Sequence, residues 1–254
     1  MSARRHAFWI LALFSFGGVS PWSMAAEGPT GEVGFGLGYQ PYDPSGSRYE
    51  TAPLPYFDVD WGDVSLNTDD GLIWSALNTG DWTAGPFINY LPGRNANGSL
   101  RGLRDVSDRA QLGSFVQYSP AEFWRLYAQL GQAVGGAGGV LGQVGGELGY
   151  PLGLGVIGSS QLAAHFADGR QASTFLGVSA AESQASGISR YNASGGLQNL
   201  TLTQNVEFAL AEHWSVVASA SWIHLLGSAA DSSIVKELGD VNQGSVQTAV
   251  SYKF

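Results

Sequence analysis

The stretch that decides the fold is Ser245–Phe254, which reads Ser-Val-Gln-Thr-Ala-Val-Ser-Tyr-Lys-Phe. Its even positions, from Val246 to Phe254, are mostly apolar, and its odd positions, from Ser245 to Lys253, are mostly polar. An alternation with a period of two residues predicts a β-strand with one apolar face and one polar face. The chain therefore ends on an amphipathic strand.

The last residue separates two classes of β-protein. A soluble sandwich would show the same alternation, but its chain rarely stops on a bare aromatic residue. Phe254, preceded by Tyr252 and Val250, looks like the signal that closes a bacterial outer-membrane β-barrel. If so, the other strands should repeat the alternation, because a barrel wall meets lipid outside and water or packed polar groups inside.

The first 25 residues are typical of a secretory signal peptide. Arg4 and Arg5 precede an apolar run over residues 7–19, and Ser23 and Ala25 are small residues at the expected cleavage site before Ala26. An uncleaved helical anchor is the alternative, but the run is shorter than the roughly 20 residues that a spanning helix needs. We expect an exported protein whose mature part is 26–254.

Composition excludes several classes of function. Residues 1–25 carry two positive charges and no negative ones, so cleavage would change the net charge from −9 to −11, which argues against binding to nucleic acid. Cysteine is absent, so the exported chain folds without disulfides, as a closed hydrogen-bonded barrel can. After residue 26 no apolar stretch approaches about 20 residues, so a membrane-integral form must be a barrel.

Counting alternating segments gives twelve or thirteen strands, and we expect twelve because such barrels have an even number. The ambiguity lies in 64–77, which is either one long strand with a bulge near Asp69 or two short strands; the count of twelve treats it as one. The count also includes a strand at 172–178. Asp168-Gly169 is interpreted as a tight turn, and Pro86 is expected at a bulge or sheet edge.

One strand has the pattern of a membrane-crossing segment. Trp214 and Trp222 lie on the same face, eight residues apart, or about 26 Å along a strand at ~3.3 Å per residue. Once tilted, that span is roughly 19 Å high and would reach both aromatic girdles of a ~25 Å apolar band. We expect Trp214, Trp222, Tyr252 and Phe254 to be girdle residues, with two core tryptophans of a soluble sandwich as the alternative.

Eight short stretches of the mature chain match one family pattern in order and spacing: Gly36–Pro41, Pro53–Pro55, Leu100–Asp105, Phe175–Val178, Ser186–Tyr191, His213–Trp214, Ala229–Ser233 and Tyr252–Phe254. With these stretches, the chain resembles the MltA-interacting protein (MipA/OmpV) family of outer-membrane proteins over nearly its full mature length. Two positions depart from the family pattern, Arg104 where we expect a glycine and Ser233 where we expect a proline. The resemblance implies a scaffold that holds a murein transglycosylase near a murein synthase, and family members have also been treated as porins.

An outer-membrane lipid-modifying enzyme is a competing class, because small barrels can use a His and a Ser on their wall. His213 and Ser215 have a suitable spacing, but they follow a short turn, and short turns face the periplasm rather than the outer leaflet. His165 with Asp168 is interpreted as a local hydrogen bond across a turn. The sequence has no metal-ligand spacing, nucleophile motif or phosphate loop, so we predict no enzyme activity, cofactor or metal site.

The loop 92–108 concentrates arginine in an acidic chain. Its candidate partner-binding residues are Arg94, Arg101, Arg104 and Asp105. A solvated loop, a protein partner, lipopolysaccharide phosphates and a fold back into the lumen are the open readings. Counting strands backwards from Phe254 places this loop on the periplasmic side if 64–77 is one strand, which favours docking of a murein-machinery partner. Splitting that segment moves the loop to the outside.

We therefore expect a monomer in outer-membrane lipid that acts as a non-catalytic scaffold for a periplasmic murein transglycosylase and murein synthase. A small-solute pore is the alternative, since inward faces carry many Gly, Ser, Thr and Gln. A twelve-stranded barrel is narrow, however, and Phe115, Tyr127 and Glu147 point inward and partly fill it.

Overall fold

Within the described residues, thirteen β-strands form one antiparallel sheet that closes on itself. The computed structural model describes residues 28–136, 138–153 and 155–254, so the predicted signal peptide and its cleavage site lie outside the described residues. None of the helices described is long and apolar enough to cross a membrane. The strands are β1 (Thr30–Pro41), β2 (Tyr49–Trp61), β3 (Val64–Asn67), β4 (Gly71–Trp74), β5 (Leu77–Thr79), β6 (Trp82–Leu91), β7 (Arg109–Ala121), β8 (Trp124–Val134), β9 (Val140–Gly153), β10 (Val156–Ala167), β11 (Gly196–Ala211), β12 (Trp214–Leu225) and β13 (Asn242–Lys253).

The sheet closes at two places. β13 pairs with β1 over eight residue pairs, including Val250 with Phe35, and β4 pairs with β6 through Leu72 and Ile88. Twelve strands make up the ring, and β5 is an extra strand that pairs with the first three residues of β6. The predicted twelve-stranded antiparallel barrel is confirmed.

The treatment of 64–77 as one strand is wrong, because β3 and β4 form a hairpin there. The side-chain oxygen of Asn67 accepts hydrogen bonds from the backbone N–H groups of Asp69 and Asp70, and Gly71 has a φ of 74°. An asparagine that bonds its own turn, followed by a glycine in the left-handed region, reverses the chain instead of bulging it.

The strand predicted at 172–178 is also wrong, because helix α1 (Gly169–Leu176) occupies most of it. Asp168, interpreted as part of a tight turn, is the N-cap of this helix and accepts a hydrogen bond from the Gln171 N–H. Ala172 and Leu176 are both buried, one helical turn apart, so their spacing of four fits a helix as well as a strand. The two errors cancel, which is why the total of twelve is right.

The prediction for Pro86 is confirmed. On one side of β6, β5 pairs as far as Ala84 and β4 pairs from Phe87 onward, so Gly85 and Pro86 lie at the break between two partner strands. A proline has no N–H to donate, and here no ladder hydrogen bond on that side requires one.

The outer surface of the ring is apolar along alternate positions. β1, for example, exposes Val33, Phe35, Leu37 and Tyr39, whereas Glu32 is buried on the inside. The four predicted girdle residues lie on this outer surface, and Trp214 and Tyr252 contact each other with ring centroids 5.2 Å apart. Their role at a lipid boundary stays a prediction.

The two ends of the barrel differ in their connections. At the short-turn end, two-residue connections at 62–63, 122–123 and 212–213 join neighbouring strands, and the backbones of Gly31 and Phe254 are hydrogen-bonded. At the opposite, long-loop end lie 42–48, 92–108, 168–195 and 226–241. The loop 92–108 is therefore at the same end as 226–241. Its predicted position at the opposite end is wrong, because α1 replaces a strand predicted after the loop and the hairpin β3–β4 adds a strand before it.

Candidate functional site

The four loops of the long-loop end meet over the mouth of the barrel, and we call them the cap. In the ring order, 42–48, 92–108 and 168–195 begin four strand positions apart, at thirds of the circle. They nevertheless touch, since Arg48 donates to the Asn97 side chain at 3.1 Å and Arg104 donates to the Ser173 carbonyl at 2.8 Å. Loops that start at evenly spaced points of a ring can contact one another in this way only by crossing its opening.

The cap has its own apolar core. One cluster joins Leu100 and Leu103 of loop 92–108 to Val178 and Ile188 of loop 168–195 and to Ile234 of loop 226–241. Leu100 and Ile234 are fully buried. The cap also contains two short helices, α2 (Ala180–Ser186) and α4 (Ser233–Leu238). A second buried apolar cluster includes Ala172 and Leu176 of α1. α3 (Gly227–Ala230) contributes the buried Ala229. The cap is thus a packed unit and not a set of solvated loops.

Arg94 fastens loop 92–108 to α1. Its guanidinium donates to the carbonyl of Phe175 and, at 3.0 Å, to the carbonyl of Arg104, and the residue is buried. Burial lowers the pKa of Arg94, and the nearby positive charge of Arg104 lowers it further. The group remains charged at neutral pH because a guanidinium is too strong a base to lose its proton in a protein.

Glu182 joins α2 to the same loop. It accepts hydrogen bonds from the Ser179 backbone N–H and hydroxyl and from the Arg104 backbone N–H, and its carboxylate lies 3.7 Å from the Arg104 guanidinium. Burial by itself would raise the pKa of Glu182, but the hydrogen bonds from Ser179 and Arg104 lower it to below its ordinary value. Glu182 is therefore an ionised anchor at neutral pH.

The remaining predicted partner-binding residues differ in their surroundings. The Asp105 carboxylate accepts from the Ala96 backbone N–H at 2.7 Å, which stabilises the loop itself. Arg101 is exposed, and its backbone bridges to Leu103. Of the four predicted residues, Arg94 and Arg104 hold the cap together and Asp105 stabilises its own loop, whereas Arg101 faces solvent.

Inside the ring, polar and aromatic side chains pack against one another in part of the lumen. Phe115 and Tyr127 are buried, as predicted for inward residues, and Phe115 packs with Ile73 and Phe87. Below them, Arg125 and Glu147 form an ion pair at 2.7 Å. This side of the lumen is narrowed by packed side chains and not by backbone.

A cavity of about 550 Å³ remains in the lumen toward the short-turn end. Its rim includes the turns at 80–81 and 122–123. Among the described residues that line it, Arg125 is the only basic one. Seven carboxylates from the described part of the chain lie along its wall, so this lumenal cavity is strongly acidic. They belong to Asp58, Asp69, Asp70, Asp81, Glu122, Glu147 and Glu207.

None of the histidines that the structure describes is hydrogen-bonded to a serine side chain. His213 lies with its Nδ1 3.1 Å from the Lys253 carbonyl and its ring against Tyr252, while Ser215 is buried on the inner face of β12. Asp168, expected to bond His165, is used to cap α1. Among the described residues there is also no group of three or more His, Asp or Glu side chains placed to hold a metal.

Sequence reasoning missed the helical part of the cap and its anchor Glu182. A readable signal is present, because Ser179-Ala-Ala-Glu182 has the spacing of a capping box, and both reciprocal hydrogen bonds form. The lumenal carboxylates had no such signal. They come from strands far apart in sequence, and only ring closure brings them together.

The family model for "MltA-interacting protein MipA" matches residues 33–254. The chain belongs to this family. The match covers the whole ring except the first residues of β1, and it includes all of the cap and the lumenal cavity. No curated protein matches the chain.

Solved structures similar to this MipA-family chain are outer-membrane barrels. The NanC porin is 10% identical, with 87% of this chain and all of that chain covered and a TM-score of 0.51. OprG from Pseudomonas aeruginosa is 11% identical, with 89% and 96% covered and a TM-score of 0.27. At these identities the likeness to NanC shows the fold alone, and the protein is an outer-membrane β-barrel.

Proposed function

We propose that this chain is a non-catalytic anchor that holds a murein transglycosylase, and with it a murein synthase, at the periplasmic face of the outer membrane. Short turns face the periplasm in bacterial outer-membrane barrels, so we assign the short-turn end to that side. The family description names an interaction with MltA, which supports a protein partner for this member. A partner of the murein machinery would meet the barrel at its short-turn end.

The observation that carries this proposal is the closed cap. Loop 92–108, α1 and α4 are packed and hydrogen-bonded over the long-loop mouth. A covered mouth argues against an open channel through the barrel. The opposite end, in contrast, presents the acidic lumenal cavity and its turns to the periplasm. A surface of one sign of charge favours a partner of the opposite sign and speeds their encounter.

We expect the double variant Asp81→Asn, Glu122→Gln to bind the transglycosylase more weakly, by roughly three- to tenfold, because rim charges contribute modestly to affinity and mainly to association rate. The measurement is surface plasmon resonance with the mature barrel in nanodiscs and the purified soluble transglycosylase, at low and high salt. The variant should also show a smaller dependence on salt.

Arg101→Gln is the matched control, because it removes one exposed charge at the other end of the barrel. Unchanged binding in this variant supports docking at the short-turn end. If Arg101→Gln weakens binding and the double variant does not, the partner contacts loop 92–108, and the hypothesis that Arg94, Arg101, Arg104 and Asp105 bind a partner becomes the better one.

The orientation itself has a direct test at Asn97, which lies in the cap. In intact cells, a chain carrying Asn97→Cys should react with a membrane-impermeant maleimide, because we assign the cap to the cell exterior. The chain has no cysteine of its own, so the wild type is the blank. Labelling only after the outer membrane is permeabilised would reverse the assignment and place the cap in the periplasm.

A small-solute pore is the second candidate, favoured by the polar inward faces and by the similarity in fold to a porin. Planar-bilayer recordings separate the two functions. Large, steady currents from the wild-type chain would favour the pore, whereas electrical silence together with retention of the transglycosylase favours the anchor.

A further inference from the structure

A polar cluster lies on the outer, lipid-facing surface of the barrel. Tyr150 of β9, Ser160 of β10 and Gln204 of β11 point outward from adjacent strands, and we call them the polar triad. The Gln204 Oε1 lies 2.9 Å from the Tyr150 hydroxyl and 2.8 Å from the Ser160 hydroxyl, which are 3.0 Å from each other. The Tyr150 ring lies over Gly158, where a Cβ would be only 2.5 Å from the ring.

Apolar side chains surround the triad on the same outer face. Leu202 and Val206 precede and follow Gln204 on β11, Leu162 follows Ser160 on β10, and Leu148 precedes Tyr150 on β9; each of them is exposed. The triad is therefore a polar island within the apolar band. Polar groups in such a position are costly in lipid, which makes them candidates for a function.

The triad leaves hydrogen-bond donors unused. The donors in its three contacts are the hydroxyl groups of Tyr150 and Ser160. Gln204 takes part only as an acceptor, through its side-chain oxygen. The Gln204 amide nitrogen carries two further N–H groups, and no acceptor for them is found among the residues that the structure describes. Acyl chains have no hydrogen-bond acceptor to offer. A binding partner at this depth must supply one.

We propose that the outer faces of β9, β10 and β11 form the interface of a homodimer within the membrane. A second copy carries the required acceptors at the required depth, because a two-fold axis places each triad against the same triad. Each Gln204 amide then donates to an oxygen of the opposite triad, and polar contacts of this kind hold membrane segments together. The dimer departs from the monomer that we expected, and it does not depend on the proposed function.

The neighbouring surface permits a close approach. On β12 the outward residues next to Gln204 are Ala220, its register partner, and Ala218. Small residues let two walls come close enough for side chains to bond across the interface. The larger outward residues, such as Trp214 and Trp222, lie toward the two ends of β12.

Cross-linking in native membranes tests the interface. A chain with Leu202→Cys, treated with a short bis-maleimide, should give a product of twice the chain mass. The control is Leu66→Cys on β3, an outward leucine five strand positions away in the ring. Equal yields from both positions, no product from Leu202→Cys, or a product with a protein of different mass would each overturn the homodimer.

The triad itself is tested by adding Gln204→Leu to the Leu202→Cys chain. We expect about tenfold less cross-linked dimer, because a polar contact between membrane segments changes the association constant by about a factor of ten. Leucine suits a lipid-facing position, so the heat-modifiable gel shift of the folded barrel should remain. Val246→Leu, outward on β13, is the matched control and should leave the yield unchanged; an undiminished yield with Gln204→Leu would show that the triad does not hold the copies together.

Discussion

Replacing Arg94 by methionine is expected to open the cap. The substitution removes the hydrogen bonds that the buried Arg94 guanidinium donates to the carbonyls of Phe175 and Arg104. These two carbonyl oxygens then lose a donor. The loss of a buried hydrogen-bond partner costs about 2 kcal/mol. Since that energy corresponds to about a thirtyfold change in the open population, limited proteolysis within loop 92–108 should become about thirtyfold faster.

The control for this prediction is Arg101→Met, which removes the same kind of charge from an exposed position in the same loop. Its proteolysis rate should match that of the wild type. Bilayer recordings add a second readout, because an opened cap should produce currents that the closed barrel does not. A protease-resistant loop in Arg94→Met would mean that the apolar core of the cap, and not Arg94, holds it shut.

Replacing Gly36 by alanine is expected to disrupt closure of the barrel. Gly36 lies on the inner face of β1, and a Cβ there would overlap the carbonyl oxygen of Thr248 on β13 and the backbone of Ala249. Overpacking against backbone costs about 3 kcal/mol or more, because the neighbour cannot move without breaking the ladder. The heat-modifiable folded form should therefore fall sharply in refolding yield and in the cell.

Gly38→Ala is the matched control on the same face of the same strand. There the nearest atom to an added Cβ is the Gln247 Cγ at 3.4 Å, the middle of a flexible side chain. This variant should fold at the wild-type level. Equal folding of both alanine variants would show that the β1–β13 seam is looser than the glycine spacing indicates.

The sequence by itself determined the barrel wall. Alternation such as that of Ser245–Phe254 requires one apolar and one polar face, and a ring of such strands is the way to place both in a membrane without unpaired backbone groups. The inward Phe115 and Tyr127 and the strand break at Pro86 followed from the same local rules. These features depend on residues that are close in sequence, so they are legible from it.

Only the tertiary structure decided how the two ends of the barrel are built. The turn at Asn67–Gly71 and the helix at 169–176 each admitted a strand reading, because a short apolar alternation fits more than one local conformation until distant contacts select one. The cap depends on contacts such as Arg94 with Phe175, and the acidic cavity and the polar triad depend on strands that ring closure brings side by side. The seam between β1 and β13 joins residues 219 positions apart, as in the hydrogen bond between Ser251 and Glu32. No local pattern along the chain encodes such contacts.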